Sequence, residues 1–451
     1  MNYKNILLCL TMLFSAAFAD ISTSPITPNA TVEAQKLYKF LLENYGERTI
    51  AGVQTGDLAK NATLLELEDM LAVKNAGDKF PALVGFDFQF SIGKESGGSW
   101  HQEYTTHTLS LIKETWELGG IPAITWHWRD PSHEVDAFYT PGTGNPPHVS
   151  FDFSDGFISN SLNWNKDSET YKNLIRDIDK MAEYFLTLQE QGVAAIFRPL
   201  HECGGTWFWW SVKSGSQYAE LYRLVFDRMV HEKGVKNMIW VWNPEKSIFT
   251  DPTWNPGNNY HDVIAVDIYN DPFDYQTNHE AFIGMKNNYG TNKIFTLAEN
   301  GPIPDVNLMR DQDFMWSWFM PWYESWGSEF VSKTSPEMWT ETLNSPYVYS
   351  LDKMPGWENY ALDPDEPSVS IYAETKPINY ITLNGNKLHL SFKTSGNYSI
   401  ELLNIQGKKL NTLHKGYLEA GNQVINILQP TGIYFIAIKG SKHYNHKILV
   451  P

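Results

Sequence analysis

The chain has 451 residues and a net charge of −17, and 14% of its residues are aromatic, including 17 Trp and 23 Tyr. This length suffices for one large domain or two, each with a sizeable core. The acidic charge argues against binding to nucleic acid, and we expect no nucleic-acid partner.

The first 19 residues have the features of a signal peptide. Lys4 supplies the positive charge, residues 6–18 are apolar, and a small-x-small cleavage site precedes Asp20. We therefore expect a secreted or cell-surface protein, and no later segment is apolar enough for a membrane span. Cleavage removes Cys9 and leaves only Cys203, which excludes an intramolecular disulfide and a zinc site with several thiolates.

Short apolar runs rich in β-formers alternate with amphipathic segments along most of the chain. The predicted strands are residues 49–54, 81–88, 121–128, 194–202, 237–245, 263–269, 294–301 and 314–322. Two predicted helices, 171–192 and 216–234, end in Gly just before the next strand, which is a typical stop signal. Eight such units predict a (β/α)8 TIM barrel over residues 20–362. An open doubly wound sheet is the alternative, but no Gly-x-Gly-x-x-Gly follows the first strand.

The composition changes after the predicted barrel. Residues 363–375 form a polar linker with two prolines, and residues 376–451 contain short alternating strands that predict a small all-β sandwich domain. This domain has nine Lys, no Arg or Asp and two Glu, so it carries +7 while the rest of the chain carries −24.

Polar side chains at the C-terminal ends of barrel strands form the active site in this fold. The residues at these ends are Asp87, His127, Glu202, Asn243, Glu245, Asp267, Tyr269, Glu299 and Trp322. Glu202 closes strand 4 and Glu299 closes strand 7, so the two carboxyl groups converge across the barrel mouth. Such a pair predicts glycosidic bond hydrolysis, with retention at a spacing of ~5–5.5 Å and inversion at a wider one.

One segment around the first of these carboxylates is specific enough to suggest a family. Residues 198–202 read Arg-Pro-Leu-His-Glu, and residues 206–210 read Thr-Trp-Phe-Trp-Trp. Across residues 45–330 the chain resembles glycoside hydrolase family 26, whose best-known members are retaining endo-β-1,4-mannanases on a (β/α)8 barrel. Most related barrel glycosidases have Asn, not His, before this Glu. The resemblance implies that Glu202 is the acid/base and Glu299 the nucleophile.

The resemblance also implies a set of sugar-binding residues. These are His127, His201, Trp207, Asp267, Tyr269 and Trp322. His127 would bind on the nonreducing side of the cleavage point, supported by Asp267 and Tyr269, and Trp322 would form the floor. His201 would contact sugar hydroxyls near the nucleophile, whereas Trp207 would wall the site.

Some residues near the predicted site differ from the family pattern, and others are expected to stabilise the structure without contacting the sugar. Cys203-Gly204 stands where the family often has Met-Asn, and Trp322-Tyr323 replaces a Trp-Arg pair of some members, which removes one sugar contact. We expect Arg198 to be a buried ion-pair partner that aligns the carboxylates. Cys203 is expected to be a buried thiol.

Further expectations concern the rings after Glu202 and the insertion after strand 3. Phe208, Trp209 and Trp210 are expected to pack in the core, so only Trp207 of this row would face the sugar. The insertion at residues 133–157, rich in Pro, Gly and aromatics, is expected to be a loop that shapes the cleft.

The residues together predict a secreted, monomeric, retaining endo-β-1,4-mannanase that needs no cofactor. A β-1,3-xylanase, a mixed-linkage β-glucanase and a non-catalytic polysaccharide-binding protein are the alternatives. A zinc hydrolase that uses His127, His201, Asp267 and Glu299 is disfavoured, because strand 1 has no His-x-His, and we expect no metal.

The C-terminal domain has a resemblance of its own. Asn-Ile-Gln-Gly-Lys-Lys-Leu at 404–410 and Gly-Ile-Tyr-Phe-Ile at 432–436 resemble the C-terminal secretion-sorting domains of bacteria. This resemblance implies that residues 376–451 interact with secretion or cell-surface machinery. A carbohydrate-binding module is the alternative, and it would require exposed aromatic residues on one face of a sheet.

Overall fold

The computed structural model describes residues 21–362, apart from residues 57 and 59–61, and residues 378–450, apart from 385–386, 393–394, 405–407, 428, 431 and 440–442. The chain divides into two compact units, with the boundary between Ala361 and Leu362. The expected signal peptide and linker lie outside the described residues. None of the helices in the described ranges is long and apolar enough to cross a membrane.

The first unit is built on eight parallel strands in the order β7-β6-β5-β4-β3-β2-β1-β8. They are β1 Thr49–Gln54, β2 Leu83–Asp87, β3 Ile121–Thr125, β4 Ala195–Arg198, β5 Met238–Trp242, β6 Val263–Ile268, β7 Ile294–Asn300 and β8 Trp318–Phe319. The backbone N–H of Ser317 donates to the carbonyl of Phe295 (3.1 Å), and Asn300 bridges Pro321, which brings β8 beside β7. The nearly closed barrel confirms the predicted (β/α)8 fold.

Helices pack around this barrel. They are α1 Val32–Asn44, α2 Glu68–Gly77, α3 Ser99–Glu117, α4 Glu169–Glu190, α5 Gly215–Phe226, α6 His279–Tyr289, α7 Val306–Asp311 and α8 Pro336–Asn344. Ser168 and Ser214 cap α4 and α5 by accepting hydrogen bonds from backbone N–H groups. A π-helical turn, Asp227–Glu232, continues α5. Between β5 and β6 the described chain forms two 3₁₀ turns, Lys246–Ile248 and Pro252–Trp254.

The strands are recognisable in the sequence because most of them are buried on both faces. Every residue of β5, Met-Ile-Trp-Val-Trp, is buried, as in a parallel sheet covered by helices. The last strand is shorter than the predicted 314–322. The N–H of Met320 donates to the Asn300 side-chain oxygen (2.7 Å), which interrupts the ladder after Phe319, and an isolated bridge between Asn300 and Pro321 follows.

A short strand, β9 Val348–Tyr349, pairs with β1 in the first unit. The described residues of the second unit form seven further strands. They are β10 Ile378–Asn384, β11 Lys387–Phe392, β12 Gly396–Leu403, β13 Lys409–Leu418, β14 Gly421–Asn426, β15 Gly432–Lys439 and β16 His443–Val450. They form two antiparallel sheets, β10-β11-β14 and β13-β12-β15-β16. Alternating residues such as Leu388, Ile400 and Ile436 form the core. The expected all-β domain is therefore confirmed.

Candidate active site

The segment that follows β4 places Glu202 at the mouth of the barrel. Leu200 and Glu202 both have left-handed backbone conformations, with φ of 49° and 53°. Pairing to the next strand resumes immediately afterwards, where the N–H of Cys203 donates to the carbonyl of Asn243 (3.1 Å). Non-glycine residues at positive φ are costly and tend to occur at functional sites. The kink therefore directs one carboxyl group into the cleft.

Three carboxyl groups meet at this point. Oxygens of Glu202, Asp267 and Glu299 all lie within 4.8 Å of one another. Asp267 and Glu299 are paired neighbours on the adjacent strands β6 and β7, whereas Glu202 follows β4. Like charges at this distance repel, so the site must either neutralise a carboxylate or keep it protonated.

Arg198, at the end of β4, supplies the neutralising charge. Its guanidinium is buried and pairs with Asp267 at 2.9 Å and with Glu299. It also donates to the side-chain oxygens of Asn243 (2.7 Å) and Thr125 (3.1 Å). The expected ion-pair role of Arg198 is confirmed, and four partners fix its planar group.

Glu299 is held by a hydrogen bond at each carboxylate oxygen. Arg198 donates to Oε1, and the hydroxyl of Tyr269 donates to Oε2 at 2.5 Å. The residue is only 4% exposed, whereas Tyr269 is 42% exposed and lies partly in the cleft. Two donors, one of them cationic, therefore fix the orientation of the Glu299 carboxyl group.

The environment of Glu202 favours the protonated form of its carboxyl group. Burial, and after it the charge of Glu299, raises the pKa of Glu202 to about 8. The indole Nε1 of Trp207 donates a hydrogen bond to Oε2 of Glu202 at 2.5 Å, and this bond lowers the pKa of Glu202. A pKa of about 8 keeps Glu202 mostly protonated near neutral pH.

A chain of polar contacts joins Asp87, His127 and His201. Asp87 accepts from the backbone N–H of His127 (3.1 Å), and its second oxygen lies 2.6 Å from Nδ1. Nδ1 of His127 therefore carries a proton, and Nε2 faces Nε2 of His201 at 3.2 Å. Burial holds the pKa of His201 well below its ordinary value. His201 is only 1% exposed, and its ring nitrogen contacts His127. The expected contact of His201 with a sugar therefore stays a prediction.

Aromatic rings surround these polar groups. The ring of Trp322 lies 5.9 Å from His127, between centroids, and Trp207 is partly exposed beside Glu202. Phe208, Trp209 and Trp210 are at most 2% exposed, which confirms their expected packing role.

The turn after Glu202 depends on glycine, and the insertion after β3 holds it. Gly204 has a φ of +89°, and a Cβ on Gly205 would come within 2.5 Å of the Trp207 ring. The N–H of Thr140, in the insertion, donates to the carbonyl of Trp207 (2.8 Å).

Cys203 is fully buried, which confirms the expected buried thiol. Burial also raises the pKa of this thiol.

The structure brings all eight predicted site residues to the C-terminal ends of the strands and adds several partners. Asp87 and Asn243 stood among the strand-end residues, but their contacts to His127 and Arg198 were not predicted. Thr125 was missed, because a strand-end Thr is common in any barrel. Asp267 and Glu299 both pair with the buried cation Arg198, which disfavours the zinc alternative.

The hydrogen bond from Trp207 predicts a shift in pH dependence. An N–H donor stabilises the carboxylate, so replacing Trp207 with Phe is expected to raise the pKa of Glu202 above about 8. If Glu202 must be protonated, the alkaline limb of kcat/KM moves to higher pH. Trp210→Phe is the control, because its indole donates to the His201 carbonyl. An unmoved limb in Trp207→Phe would contradict this interpretation.

Residues 26–352 match the family described as glycosyl hydrolase family 26. The chain is 31% identical over 358 residues to a mannan endo-1,4-beta-mannosidase of Thermothelomyces thermophilus, covering 75% of this chain and 65% of that protein. It is 30% identical over 343 residues to mannan endo-1,4-beta-mannosidase A of Piromyces sp, covering 75% and 52%. The chain thus spans about half to two thirds of the length of these curated relatives.

The solved structures show the same similarity. A beta-mannanase from a symbiotic protist of the termite Reticulitermes speratus, complexed with gluco-manno-oligosaccharide, is 34% identical with a TM-score of 0.66. The match covers 75% of this chain and 99% of that one. A Podospora anserina GH26-CBM35 beta-(1,4)-mannanase is 27% identical with a TM-score of 0.62, over 75% and 70% of the two chains.

Proposed function

The chain belongs to glycosyl hydrolase family 26, and from this premise we propose that it is a retaining endo-β-1,4-mannanase. The observation that carries the proposal is the pair Glu202 and Glu299. One oxygen of Glu202 lies within 4.8 Å of one oxygen of Glu299, which favours the ~5–5.5 Å carboxyl spacing of a retaining pair over the ~6.5–9.5 Å spacing of an inverting pair. One of the two has a raised pKa and the other is held by two donors.

The first step of the reaction uses both groups at once. Protonated Glu202 gives its proton to the glycosidic oxygen, and a Glu299 oxygen attacks the anomeric carbon. The bond from that carbon to the leaving oxygen breaks, and a glycosyl ester forms on Glu299 with inverted configuration. The shortened chain leaves as an alcohol, and Glu202 becomes a carboxylate.

The second step returns the enzyme to its starting state. Carboxylate Glu202 takes a proton from water, and the water oxygen attacks the anomeric carbon. The ester bond to Glu299 breaks, a second inversion restores the original β configuration, and Glu202 is again protonated. Arg198 and Tyr269 keep the released Glu299 carboxylate in place.

The remaining site residues are proposed to hold the sugar. Trp322 offers a flat ring to the C–H face of a pyranose, and His127, whose ring lies beside it, binds on the same, nonreducing side. Trp207 walls the site at the cleavage point. His201, buried behind His127, contacts sugar hydroxyls or acts through His127.

A substrate panel with analysis of the product anomer tests this proposal. Mannan, glucomannan, lichenan and β-1,3-xylan separate a mannanase from the β-glucanase and β-1,3-xylanase alternatives. We expect mannooligosaccharides of several lengths from linear mannan, and NMR of the first product should show the β anomer. Release of sugar from lichenan alone or from β-1,3-xylan alone would show that the enzyme is a β-glucanase or a β-1,3-xylanase and not a mannanase. An α anomer as the first product would refute retention. No release from any of these glycans would favour a non-catalytic binding protein.

Export and attachment form a separate part of the proposal. We propose that the protein is secreted or held at the cell surface through residues 376–451, which interact with secretion or cell-surface machinery. The charge of +7 on this all-β domain and the signal-like first 19 residues support it. Fractionation of cells that produce the full chain and a chain ending at Ala361 tests it, and equal distribution of the two would contradict it.

A further inference from the structure

The insertion after β3 holds the segment that follows Glu202 through two threonine side chains. The Thr140 hydroxyl donates to the carbonyl of Thr206 (2.8 Å), and the Thr140 N–H donates to the carbonyl of Trp207 (2.8 Å). The Thr143 hydroxyl lies 3.2 Å from the same Trp207 carbonyl and 2.9 Å from the carbonyl of Thr140. We call Thr140 and Thr143 the threonine clamp. Neither residue takes part in the two proposed reaction steps.

The local sequence explains why both threonine side chains reach one stretch of main chain. Residues 140–143 read Thr-Pro-Gly-Thr, and the N–H of Thr143 donates to the carbonyl of Thr140 (3.2 Å). Pro141 and Gly142, with a φ of 87° at the glycine, occupy the central positions that these residue types prefer in a type II turn. The turn brings its first and last residues together, so their hydroxyl oxygens lie 3.2 Å apart.

The insertion is itself held against the barrel on both sides of the turn. Tyr139 and Phe208 form an isolated antiparallel bridge, and their rings stack with 5.5 Å between centroids. Asp177 of α4, which is 1% exposed, contacts Nε2 of His133 at 3.0 Å and accepts from the indole of Trp128 at 2.9 Å. The threonine clamp is therefore a firm support for the segment that it contacts.

Trp207 needs such a support. Gly204 and Gly205 precede it, and glycine loses more conformational freedom on folding than any other residue. The Trp207 side chain is partly exposed, so packing restrains it less than the three buried rings that follow. Its Nε1 must nevertheless stay 2.5 Å from Oε2 of Glu202. A shift of the main chain at Trp207 would weaken this bond, because hydrogen bonds depend strongly on distance and angle.

We propose that Thr140 and Thr143 are positioning residues for the acid/base. Their contacts to the main chain of Thr206 and Trp207 keep the Trp207 indole directed at Glu202. The insertion after β3 thereby helps to set the pH range in which Glu202 is protonated. The inference rests on the proposed function, because it takes Glu202 to be the acid/base.

Other charged groups also act on Glu202. Burial, and after it the charge of Glu202, raises the pKa of Tyr139, so the insertion brings a phenol near this carboxyl group. The remaining groups lie on the strands or at their ends, and they are Arg198, Glu245, Asp267, Tyr269 and Glu299. Substitution of a clamp threonine removes none of these groups. An effect of the clamp on Glu202 must therefore pass through Trp207 or through Tyr139.

The pH dependence of catalysis and the titration of Glu202 together test the clamp. Thr140→Val replaces the hydroxyl with a methyl group and keeps the backbone N–H. We expect the alkaline limb of kcat/KM to move to higher pH by about 0.5–1 unit, because a weaker indole donor stabilises the Glu202 carboxylate less. The indole N–H signal of Trp207 in proton NMR, assigned by its loss in Trp207→Phe, should titrate with the same shift. Thr140→Ser keeps a hydroxyl and should restore both wild-type pH values.

Two comparisons separate positioning from a general loss of stability. Thr115→Val is the control, because the Thr115 hydroxyl is buried in α3 and donates to the carbonyl of Leu111 (2.8 Å). This variant should melt at a lower temperature without a change in either pH value. In a Trp207→Phe background, Thr140→Val should cause no further movement of the alkaline limb, since the indole donor is already absent. A further movement of the same size would show that Thr140 acts through Tyr139 and would overturn the proposal.

The remaining outcomes distinguish failure of the clamp from failure of the proposed function. Thr143→Val should move both pH values in the same direction as Thr140→Val, and it serves as the test if Thr140→Val does not fold. Unchanged pH values in the folded clamp variants would overturn the clamp. The NMR titration needs no substrate, so it tests the clamp whichever glycan the enzyme cleaves. A shifted NMR titration with an unmoved alkaline limb would support the positioning of Trp207 and overturn the assignment of Glu202 as the acid.

Discussion

Glu299→Ala is expected to reduce kcat on linear mannan by about 10⁴-fold or more, with the fold intact. The residue would form the covalent bond to the sugar, and removal of such a nucleophile leaves only binding and electrostatic effects. Its partners Arg198 and Tyr269 remain, so the cleft keeps its shape. Steady-state kinetics together with circular dichroism of both proteins measures the effect.

Azide distinguishes the nucleophile from the acid/base. With an activated aryl β-mannoside, azide should occupy the space left in Glu299→Ala and yield an α-glycosyl azide. In Glu202→Ala the covalent intermediate still forms, so azide should yield the β product. Glu245→Gln, a nearby strand-end carboxyl whose pKa burial raises, is the matched control and should stay active. Turnover retained in Glu299→Ala would show that another group is the nucleophile.

The second large effect is expected from Arg198. Arg198→Met leaves Asp267 and Glu299 buried without their cation, and breaking a buried pair in this way costs about 3–5 kcal/mol of unfolding free energy. Urea denaturation measures the loss. Arg198→Lys keeps the charge but cannot reach four partners at once, so it should lose less.

The loss in Arg198→Met should depend on pH. Burial already raises the pKa of Asp267 in the folded state, and Arg198 acts to lower it, so loss of the guanidinium raises this pKa further above its unfolded value. The folded state then binds more protons, so stability falls as the pH rises through this range and recovers on acidification. Adding Asp267→Asn and Glu299→Gln removes the unpaired charges and should restore stability. A triple variant as unstable as Arg198→Met would indicate lost packing instead.

Much of the fold follows from local patterns along the chain. The continuously apolar strands were predicted within a few residues, because strands buried on both faces leave an unbroken apolar signal. β8 was the exception. Regular pairing covers two of its nine predicted residues, and the hydrogen bond from Met320 to the Asn300 side chain, which sets its C-terminal end, is not visible in hydrophobicity.

The candidate site was predictable to the level of residue types. In a (β/α)8 barrel, polar residues at the C-terminal ends of the strands gather at one mouth of the barrel. Glu202 and Glu299 can therefore be identified as candidates before any distance is known. The row Thr-Trp-Phe-Trp-Trp divided as expected into one ring at the cleft and three packed ones, because Gly204 and Gly205 let the chain turn sharply.

The sequence alone thus determined the barrel, the all-β domain and the carboxyl pair, since each depends on periodicity or on position along a strand. Tertiary structure decided the contacts between strands. These include the four partners of Arg198 and the Asp87–His127–His201 chain. Such contacts join residues tens to hundreds of positions apart, and their distances depend on strand register and backbone kinks, which no local pattern encodes.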